Sequence, residues 1–284
     1  MEKPQTFLHR LLHGTDRMDW GRDLEHFDAA TVLETIDALS GPVFGPMGWF
    51  RVDVRGIETL PPSPVMIVSN HSGGTIIPDV WGFLWFWYRR FGTARPIHPS
   101  GHELIFANER IGRWFARRGV IHANPHLARE ALARGRDLMV MPGGDRDTWR
   151  PYSRRYEVEF AGRTGYARLA LQARVPIVPV AHAGAHETLI VLSDGHRFAR
   201  AVGLRAIARA EVFPVHLSLP WGLAVGPWPH IPIPTTLRYR LGAPIPVPAE
   251  LGAGDEVTDA MVLAHDARVR ASVQSMLYAL RDGR

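Results

Sequence analysis

Short, continuous apolar runs alternate with helix-forming stretches along most of this chain, an order that few fold classes accommodate. The apolar runs predict strands near residues 51–55, 65–69, 120–123, 137–141, 176–182 and 237–241. The stretches with helical periodicity predict helices near residues 23–40, 79–91, 104–118, 126–134, 163–173 and 256–282. Strands that are apolar in succession are buried on both faces, which is typical of a parallel sheet covered by helices. We therefore expect an α/β fold with a mostly parallel central sheet flanked by helices.

The domain organisation follows from length and composition. A chain of 284 residues, 46% of them hydrophobic and 21% charged, is globular and has room for one large domain. No linker of disordered composition separates two halves. We expect a single structural domain, in which residues 1–49 form an N-terminal helical segment that packs on the core and residues 50–284 carry the activity.

Two residue types that support common chemistries are almost missing. The chain has no cysteine, which excludes disulfide scaffolds, zinc ribbons, iron–sulfur sites and thiol catalysis. Lys3 is the only lysine, which excludes Schiff-base chemistry and a Walker phosphate loop. The formal net charge of +5 favours an anionic partner such as a phosphate, a coenzyme or an acidic membrane surface.

Two apolar segments bear on membrane attachment. The first twenty residues do not have the pattern of a signal peptide, and no stretch offers the roughly 20 apolar residues of a spanning helix. Residues 79–91 are apolar on every face, so they predict a helix that is either buried or lies at a membrane interface. Residues 212–237 carry six prolines and no charged side chain, and predict an apolar loop or short re-entrant segment, exposed to lipid or lining an acyl channel. We expect peripheral or monotopic attachment.

A polar, glycine-rich loop follows the buried strand that ends at Ser69. It reads Asn70-His71-Ser72-Gly73-Gly74 and leads through Pro78 to Asp79, where a helix begins. The carboxyl end of a strand is where α/β folds place their sites. His71 can serve as general base, with Asp79 holding its tautomer, and the two glycines let a substrate approach the backbone. The alternative is a tight turn with a structural histidine.

A second glycine pair leaves the strand at 137–141. The loop reads Pro142-Gly143-Gly144-Asp145-Arg146 and continues to Arg150, and Arg163 precedes the next helix. Arginines placed beside such a loop can bind a phosphate through paired N–H groups. The alternative for each arginine alone is a solvated surface cation.

These blocks, in this order, resemble the glycerolipid acyltransferases over roughly residues 50–190. The family has a histidine and an aspartate with four residues between them; His71 and Asp79 resemble this pair, although seven residues lie between them. The family's Pro-Glu-Gly-Thr-Arg block is similar to residues 142–146, where the glutamate is missing. The apolar block matches at 175–180, and the second block is faint around 119–124. The double glycines resemble the branch that acts on mono- and diacylglycerols.

The resemblance implies transfer of a fatty acyl group from acyl-coenzyme A or an acyl-carrier protein to a glycerolipid hydroxyl, at the cytoplasmic face of the cell membrane. His71 and Asp79 would be the catalytic residues, no metal or other cofactor would be needed, and the acceptor would be lysophosphatidic acid or a neutral glyceride. Ten residues would bind the substrates: Asn70, Ser72, Gly73, Gly74, Pro142, Gly143, Gly144, Arg146, Arg150 and Arg163.

Three other functions are weighed against this interpretation. His182 and His186, four residues apart, can share a zinc ion if they lie on one helix. A lipid-binding protein without activity can retain the same scaffold. A nucleic-acid partner is not indicated, because the arginines are dispersed and no recognition motif is present. The sequence does not fix an oligomeric state.

Overall fold

The computed structural model describes residues 20–204, 210–252 and 254–283. The strands of its two sheets are β1 Phe50–Arg55, β2 Met66–Ser69, β3 Ile97–Gly101, β4 Ile121–His122, β5 Asp137–Val140, β6 Ile177–Ala183, β7 Ile190–Ser193, β8 Val215–Ser218, β9 Gly222–Val225 and β10 Thr235–Leu241. The helices are α1 Ala29–Leu39, α2 Pro78–Phe91, α3 Glu109–Arg117, α4 Pro125–Ala133, α5 Gly144–Thr148, α6 Gly165–Ala173, α7 His196–Ala201 and α8 Asp259–Arg281.

Seven strands form the central sheet in the order β1-β10-β6-β2-β5-β3-β4. The pairs from β6 to β4 are parallel, and β1 is parallel to β10. Only the pairing of β10 with β6 is antiparallel within this sheet. The prediction of an α/β fold with a mostly parallel sheet is therefore confirmed. The sheet brings the carboxyl ends of β6, β2 and β5 side by side, and the three loops that form the site leave from those ends.

Helices cover both faces of the central sheet because its inner strands are apolar on both sides. In β2, Met66 and Val68 pack against α4, α6 and α8, whereas Ile67 packs toward α1 and α2. Burial of each large apolar side chain contributes about 1.5–3 kcal/mol to folding. Of the two predictions for residues 79–91, the buried helix is the one observed, since Phe83 and Trp87 of α2 are fully buried.

Several features differ from the sequence predictions. The predicted helix 104–118 is divided into a 3₁₀ turn at Glu103–Phe106 and α3, because the side chain of Asn108 accepts hydrogen bonds from two backbone N–H groups and caps the second helix. Strand β3 is not indicated by the sequence pattern. Residues 212–237 are not a loop: they form β8, which pairs with β7, and β9, which pairs with β8, in a separate antiparallel sheet, and then enter β10.

The predicted N-terminal segment is described only in part. Residues 1–19 lie outside the described residues, and residues 20–49 contain a 3₁₀ turn at Leu24–His26 and α1. Val32 and Ile36 of α1 pack in the same cluster as α2. Within the described part of the chain, the helices are too short or too polar to cross a membrane.

Candidate active site

The loop after β2 bends sharply, and this bend decides which side chains meet. Gly73 has φ 101° and Gly74 has φ 62°, and a 3₁₀ turn covers Gly74–Ile76 before α2 begins at Pro78. A Cβ atom on Gly73 would lie 2.5 Å from Cδ of Pro78, so only glycine fits there. Ile77 also adopts a left-handed conformation, with φ 46°. The turn brings the first residues of α2 back beneath the histidine that precedes it.

His71 and Asp79 form a direct hydrogen bond across this bend. Nδ1 of His71 lies 2.6 Å from Oδ2 of Asp79, and the backbone N–H of Ser72 donates to the same oxygen at 3.0 Å. Burial alone would raise the pKa of the Asp79 carboxyl, but the two histidines beside it and these hydrogen bonds outweigh burial and lower that pKa. The ionised carboxylate accepts a hydrogen bond from Nδ1–H of His71, which leaves the lone pair of Nε2 free to take a proton.

A third side chain, which the sequence analysis did not connect to this pair, completes the network. His182, at the end of β6, has its Nε2 atom 2.7 Å from Oγ of Ser72 and 3.5 Å from Oδ2 of Asp79. Burial lowers the pKa of His182 to about 4, so its ring is neutral near pH 7. The signal in the sequence was the position of His182 at the carboxyl end of an apolar strand that neighbours β2.

The zinc interpretation of His182 and His186 does not fit this geometry. His182 is in a strand and His186 is in a 3₁₀ turn, so the two do not share a helical face. The Nε2 atom of His182 is already engaged with Ser72. Across residues 20–204, 210–252 and 254–283, no three His, Asp or Glu side chains are grouped so that they could hold a metal ion.

The loop that follows β5 stabilises the loop that carries His71. Oδ2 of Asp147, in α5, accepts a hydrogen bond from the backbone N–H of His71 at 2.6 Å. Asp147 also forms an ion pair with Arg150, and both side chains are buried. A Cβ atom on Gly143 would lie 2.0 Å from the carbonyl oxygen of Glu159, so this glycine is required for packing of the loop.

Arg150 does not fit the prediction that it binds substrate. Its side chain is 1% exposed, and its guanidinium donates to the carbonyl oxygens of Arg154 and Arg155 at 2.9 and 3.2 Å in addition to pairing with Asp147. Burial, and the nearby Arg154 charge, lower the pKa of Arg150 to about 9, which still leaves it charged at neutral pH. Arg150 therefore has a structural role: it binds Asp147, whose carboxylate in turn accepts the hydrogen bond from the backbone N–H of His71.

Three further residues predicted to bind substrate are also internal. The side-chain amide of Asn70 donates to the carbonyl oxygen of His182 at 3.0 Å and accepts from its N–H at 2.9 Å, which fixes β2 to β6. Ser72 is fully buried against His182. The carbonyl oxygen of Pro142 accepts a hydrogen bond from Arg163. Sequence motifs do not separate residues that build a loop from those that face a ligand.

An apolar cavity of about 330 Å³ opens beside His71. Of the predicted site residues, His71 and Gly144 line it. The rest of its wall is mainly apolar. Its large apolar side chains are Ile77, Val80, Trp81, Leu104, Ile105, Phe115, Val120, Met139, Met141, Trp149, Val212 and Pro227. A cavity of this kind suits a hydrocarbon chain.

Arg146 and Arg163 line a second, cationic pocket of about 350 Å³, together with His196 and Arg200. Ala210 lines both this pocket and the apolar cavity, so the two adjoin. Arg163 also donates to the carbonyl oxygens of Pro142 and Gly143 and to Glu211. The Nε atom of Arg146 is buried and has no hydrogen-bond partner within the described part of the chain.

Comparison with known proteins finds sequences similar to this chain. The model of the family described as Acyltransferase matches residues 51–183. An uncharacterized protein of Mycobacterium tuberculosis (strain H37Rv) is 28% identical over 281 residues, which cover 98% of this chain and 73% of the relative. The "DGAT1/2-independent enzyme synthesizing storage lipids" of Gallus gallus is 24% identical over 233 residues, which cover 81% of this chain and 60% of that protein.

Among solved structures, the crystal structure of the 1-acyl-sn-glycerophosphate (LPA) acyltransferase PlsC from Thermotoga maritima aligns with 87% of this chain and 77% of its own, at a TM-score of 0.48 and 15% identity. The matched family model spans both glycine-rich loops and the strand that ends in His182 and Ala183. The chain is therefore similar to the family described as Acyltransferase over residues 51–183, which are somewhat less than half of its length.

Proposed function

We propose that this protein moves a fatty acyl group from an acyl thioester to a hydroxyl of a glycerolipid acceptor, with His71 as general base. The observation that carries the proposal is the hydrogen bond between Nδ1 of His71 and the buried Asp79 carboxylate at the wall of an apolar cavity. A hydrogen bond from Nδ1–H to this carboxylate fixes the tautomer of the neutral ring, so that the lone pair is on Nε2, which points away from Asp79. This is the arrangement that general-base catalysis of an acyl transfer requires.

The reaction proceeds by direct transfer. Nε2 of His71 takes the proton of the acceptor hydroxyl as its oxygen attacks the thioester carbonyl, and a carbon–oxygen bond forms. The tetrahedral intermediate then breaks its carbon–sulfur bond, and the leaving thiolate takes the proton from His71. Asp79 stabilises the imidazolium between the two steps. General-base catalysis of this type contributes about 100- to 10,000-fold, and positioning of the two substrates supplies the remainder. The step uses no cofactor besides the thioester substrate.

The acyl chain is assigned to the apolar cavity, and an anionic group to the adjoining pocket of Arg146 and Arg163. That anionic group is either the phosphate of a lysophosphatidic acid or a phosphate of coenzyme A. Arg146 is the stronger ligand of the two, because its Nε atom has no partner within the described residues, whereas Arg163 already binds two carbonyl oxygens and Glu211.

A neutral glyceride is the second candidate acceptor. The double glycines at 73–74 and 143–144 favour it, and so does the relative from Gallus gallus, whose name describes synthesis of storage lipids. In that case Arg146 would bind the donor. A binding protein without activity is less well supported, because it has no use for a histidine whose tautomer is fixed by a buried carboxylate.

The test is acyl transfer from labelled acyl-coenzyme A by the purified protein, with lysophosphatidic acid and monoacylglycerol offered in parallel. Arg146→Met is compared with the wild type for each acceptor. Product from the phosphate-bearing acceptor alone, with a KM for that acceptor raised by Arg146→Met, supports acceptor phosphate in the cationic pocket. Product from monoacylglycerol, with a raised KM for the donor, assigns that pocket to the coenzyme. Absence of product from both acceptors, and from a carrier-protein donor, contradicts the proposed function.

A further inference from the structure

The small antiparallel sheet of β7, β8 and β9 has an apolar outward face. Leu217 lies opposite Leu223 and Val215 lies opposite Val225, on the side away from the protein. The side chains of Leu217, Leu223 and Val225 are 43%, 65% and 50% exposed. Antiparallel sheets with one solvated face normally place polar residues there, so this face is the reverse of the usual pattern.

Neighbouring segments extend this face into a larger surface. The turn between β8 and β9 adds Leu219 and Trp221, and Trp228 follows, all more than half exposed. The indole N–H of Trp49 donates to the carbonyl oxygen of Pro232 at 2.7 Å, which joins the loop before β1 to the same surface, with Met47 98% exposed. We call the outward residues of β7–β9, this turn, Trp228 and the loop at 47–49 the docking surface.

The docking surface carries no charged side chain and few polar ones, in contrast to the usual surface of a protein–protein interface. Residues 212–237 contain no charged side chain. The indole N–H groups of Trp221 and Trp228 donate to backbone carbonyl oxygens of the same segment, at 2.6 and 2.9 Å, so their rings present carbon to the outside. Protein interfaces carry about one hydrogen bond per 100–200 Å² of buried area. Exposed tryptophans beside aliphatic side chains are typical of contact with the interfacial region of a bilayer.

The docking surface is connected to the candidate active site. The hydroxyl of Thr75, in the loop of His71, donates to the carbonyl oxygen of Pro227 at 2.9 Å, and Pro227 lines the apolar cavity. On the inner side of the small sheet, His216 lies against the ring of Trp149, with ring centroids 5.3 Å apart. A lipid that leaves a bilayer in contact with the docking surface is therefore close to residues that line the cavity.

We propose that the docking surface inserts into the interfacial region of a lipid bilayer and presents the cavity to membrane lipids. The choice of a lipid bilayer as partner rests in part on the proposed acyl transfer, because an enzyme that acts on lipids benefits from binding the membrane on the side where its cavity lies. The formal charge of +5 adds attraction to anionic head groups. The proposal assigns peripheral attachment to β8, β9 and the turn between them.

The test is sedimentation of the full chain with vesicles of equal parts phosphatidylcholine and phosphatidylglycerol. A double variant, Leu217→Glu with Leu223→Glu, is compared with Leu263→Glu, which changes a leucine of α8 that is 59% exposed and distant in sequence from the docking surface. We expect the double variant to lose at least about tenfold in vesicle affinity and the control to stay within about twofold of the wild type. Equal binding of all three proteins, or no binding by the wild type, overturns the proposal.

Two further measurements distinguish insertion into lipid from misfolding of the double variant and from self-association. Transfer between short-chain substrates that dissolve as monomers, measured without vesicles, should be unchanged in the double variant, which also shows that it folds. If no protein shows transfer but vesicle binding still depends on Leu217 and Leu223, the docking surface is supported and acyl transfer is not. If sedimentation velocity shows a dimer that the double variant dissociates, and vesicles bind neither form, a second copy covers this surface and the proposal is overturned.

Discussion

Replacing Arg150 with methionine should destabilise the protein strongly, rather than weaken substrate binding. The guanidinium donates to the carbonyl oxygens of Arg154 and Arg155 and pairs with Asp147, and its side chain is 1% exposed. Arg150→Met keeps much of the length of the side chain but leaves the Asp147 carboxylate buried without its partner. Breaking a buried ion pair in this way costs about 3–5 kcal/mol. For a domain of this size, that corresponds to a melting temperature lowered by roughly 6–20 °C.

The assay is urea and thermal unfolding, with Arg146→Met as the matched control. Arg146 is partly exposed, so its replacement should change the free energy of unfolding by less than about 1 kcal/mol. A double variant, Arg150→Met with Asp147→Asn, removes both charges while the asparagine oxygen can still accept the His71 N–H. It should therefore be more stable than Arg150→Met alone, by about 1–3 kcal/mol.

The reasoning is refuted if Arg150→Met unfolds within about 1 kcal/mol of the wild type. A normal stability combined with a raised KM would mean that Arg150 contacts a substrate phosphate, as the sequence alone suggested. A double variant less stable than the single variant would mean that the Asp147 carboxylate does not depend on Arg150.

Three other predictions follow from the site and the fold. Asp79→Asn should lower kcat about 100-fold or more with little change in KM, because the amide no longer fixes the tautomer of His71. An unchanged kcat in steady-state assays would contradict the pairing of His71 with Asp79. Ile105→Trp should reduce activity toward long acyl chains about tenfold relative to short ones, because the indole ring fills part of the apolar cavity. If the dependence of activity on chain length is unaltered, the acyl chain does not bind in this cavity. Burial lowers the pKa of His98 to about 4, so the folded state resists its protonation and should lose up to about 3 kcal/mol as pH falls from 6.5 to 4. His98→Asn, which can keep the hydrogen bond to Gly119, should flatten that dependence in unfolding measurements; the same slope in both proteins would contradict it.

The central sheet could be predicted because its inner strands are apolar in succession. β2, β5 and β6 are dominated by residues that tolerate burial on two faces, so the sequence alone predicted them as buried strands. Their order in the sheet was not predicted. β3 was missed because it reads Ile-His-Pro-Ser-Gly, and burial of His98 depends on its hydrogen bonds to the carbonyl oxygen of Gly119 and to the guanidinium of Arg136. A contact between residues so far apart in sequence leaves no local pattern.

The site was predictable in its main residues and not in its surroundings. His71 and Asp79 were singled out by position, although the spacing of seven residues could be explained only by the left-handed residues and the 3₁₀ turn between them. The role of His182 depends on β6 lying beside β2. Arg150 and Arg146 are the same residue type in the same loop, and only the fold shows that one points inward and the other lines a pocket.

The most direct test compares His71→Ala with His102→Ala in acyl transfer from labelled acyl-coenzyme A, with the acceptor that the wild type uses. Both histidines line the apolar cavity, but Nδ1 of His102 accepts a hydrogen bond from the N–H of Leu104 and has no carboxylate partner within the described residues. We expect the transfer rate of His71→Ala to fall by about 100- to 10,000-fold and that of His102→Ala to stay within about threefold of the wild type. If His71→Ala transfers acyl groups as fast as the wild type, His71 is not the base and the account is wrong.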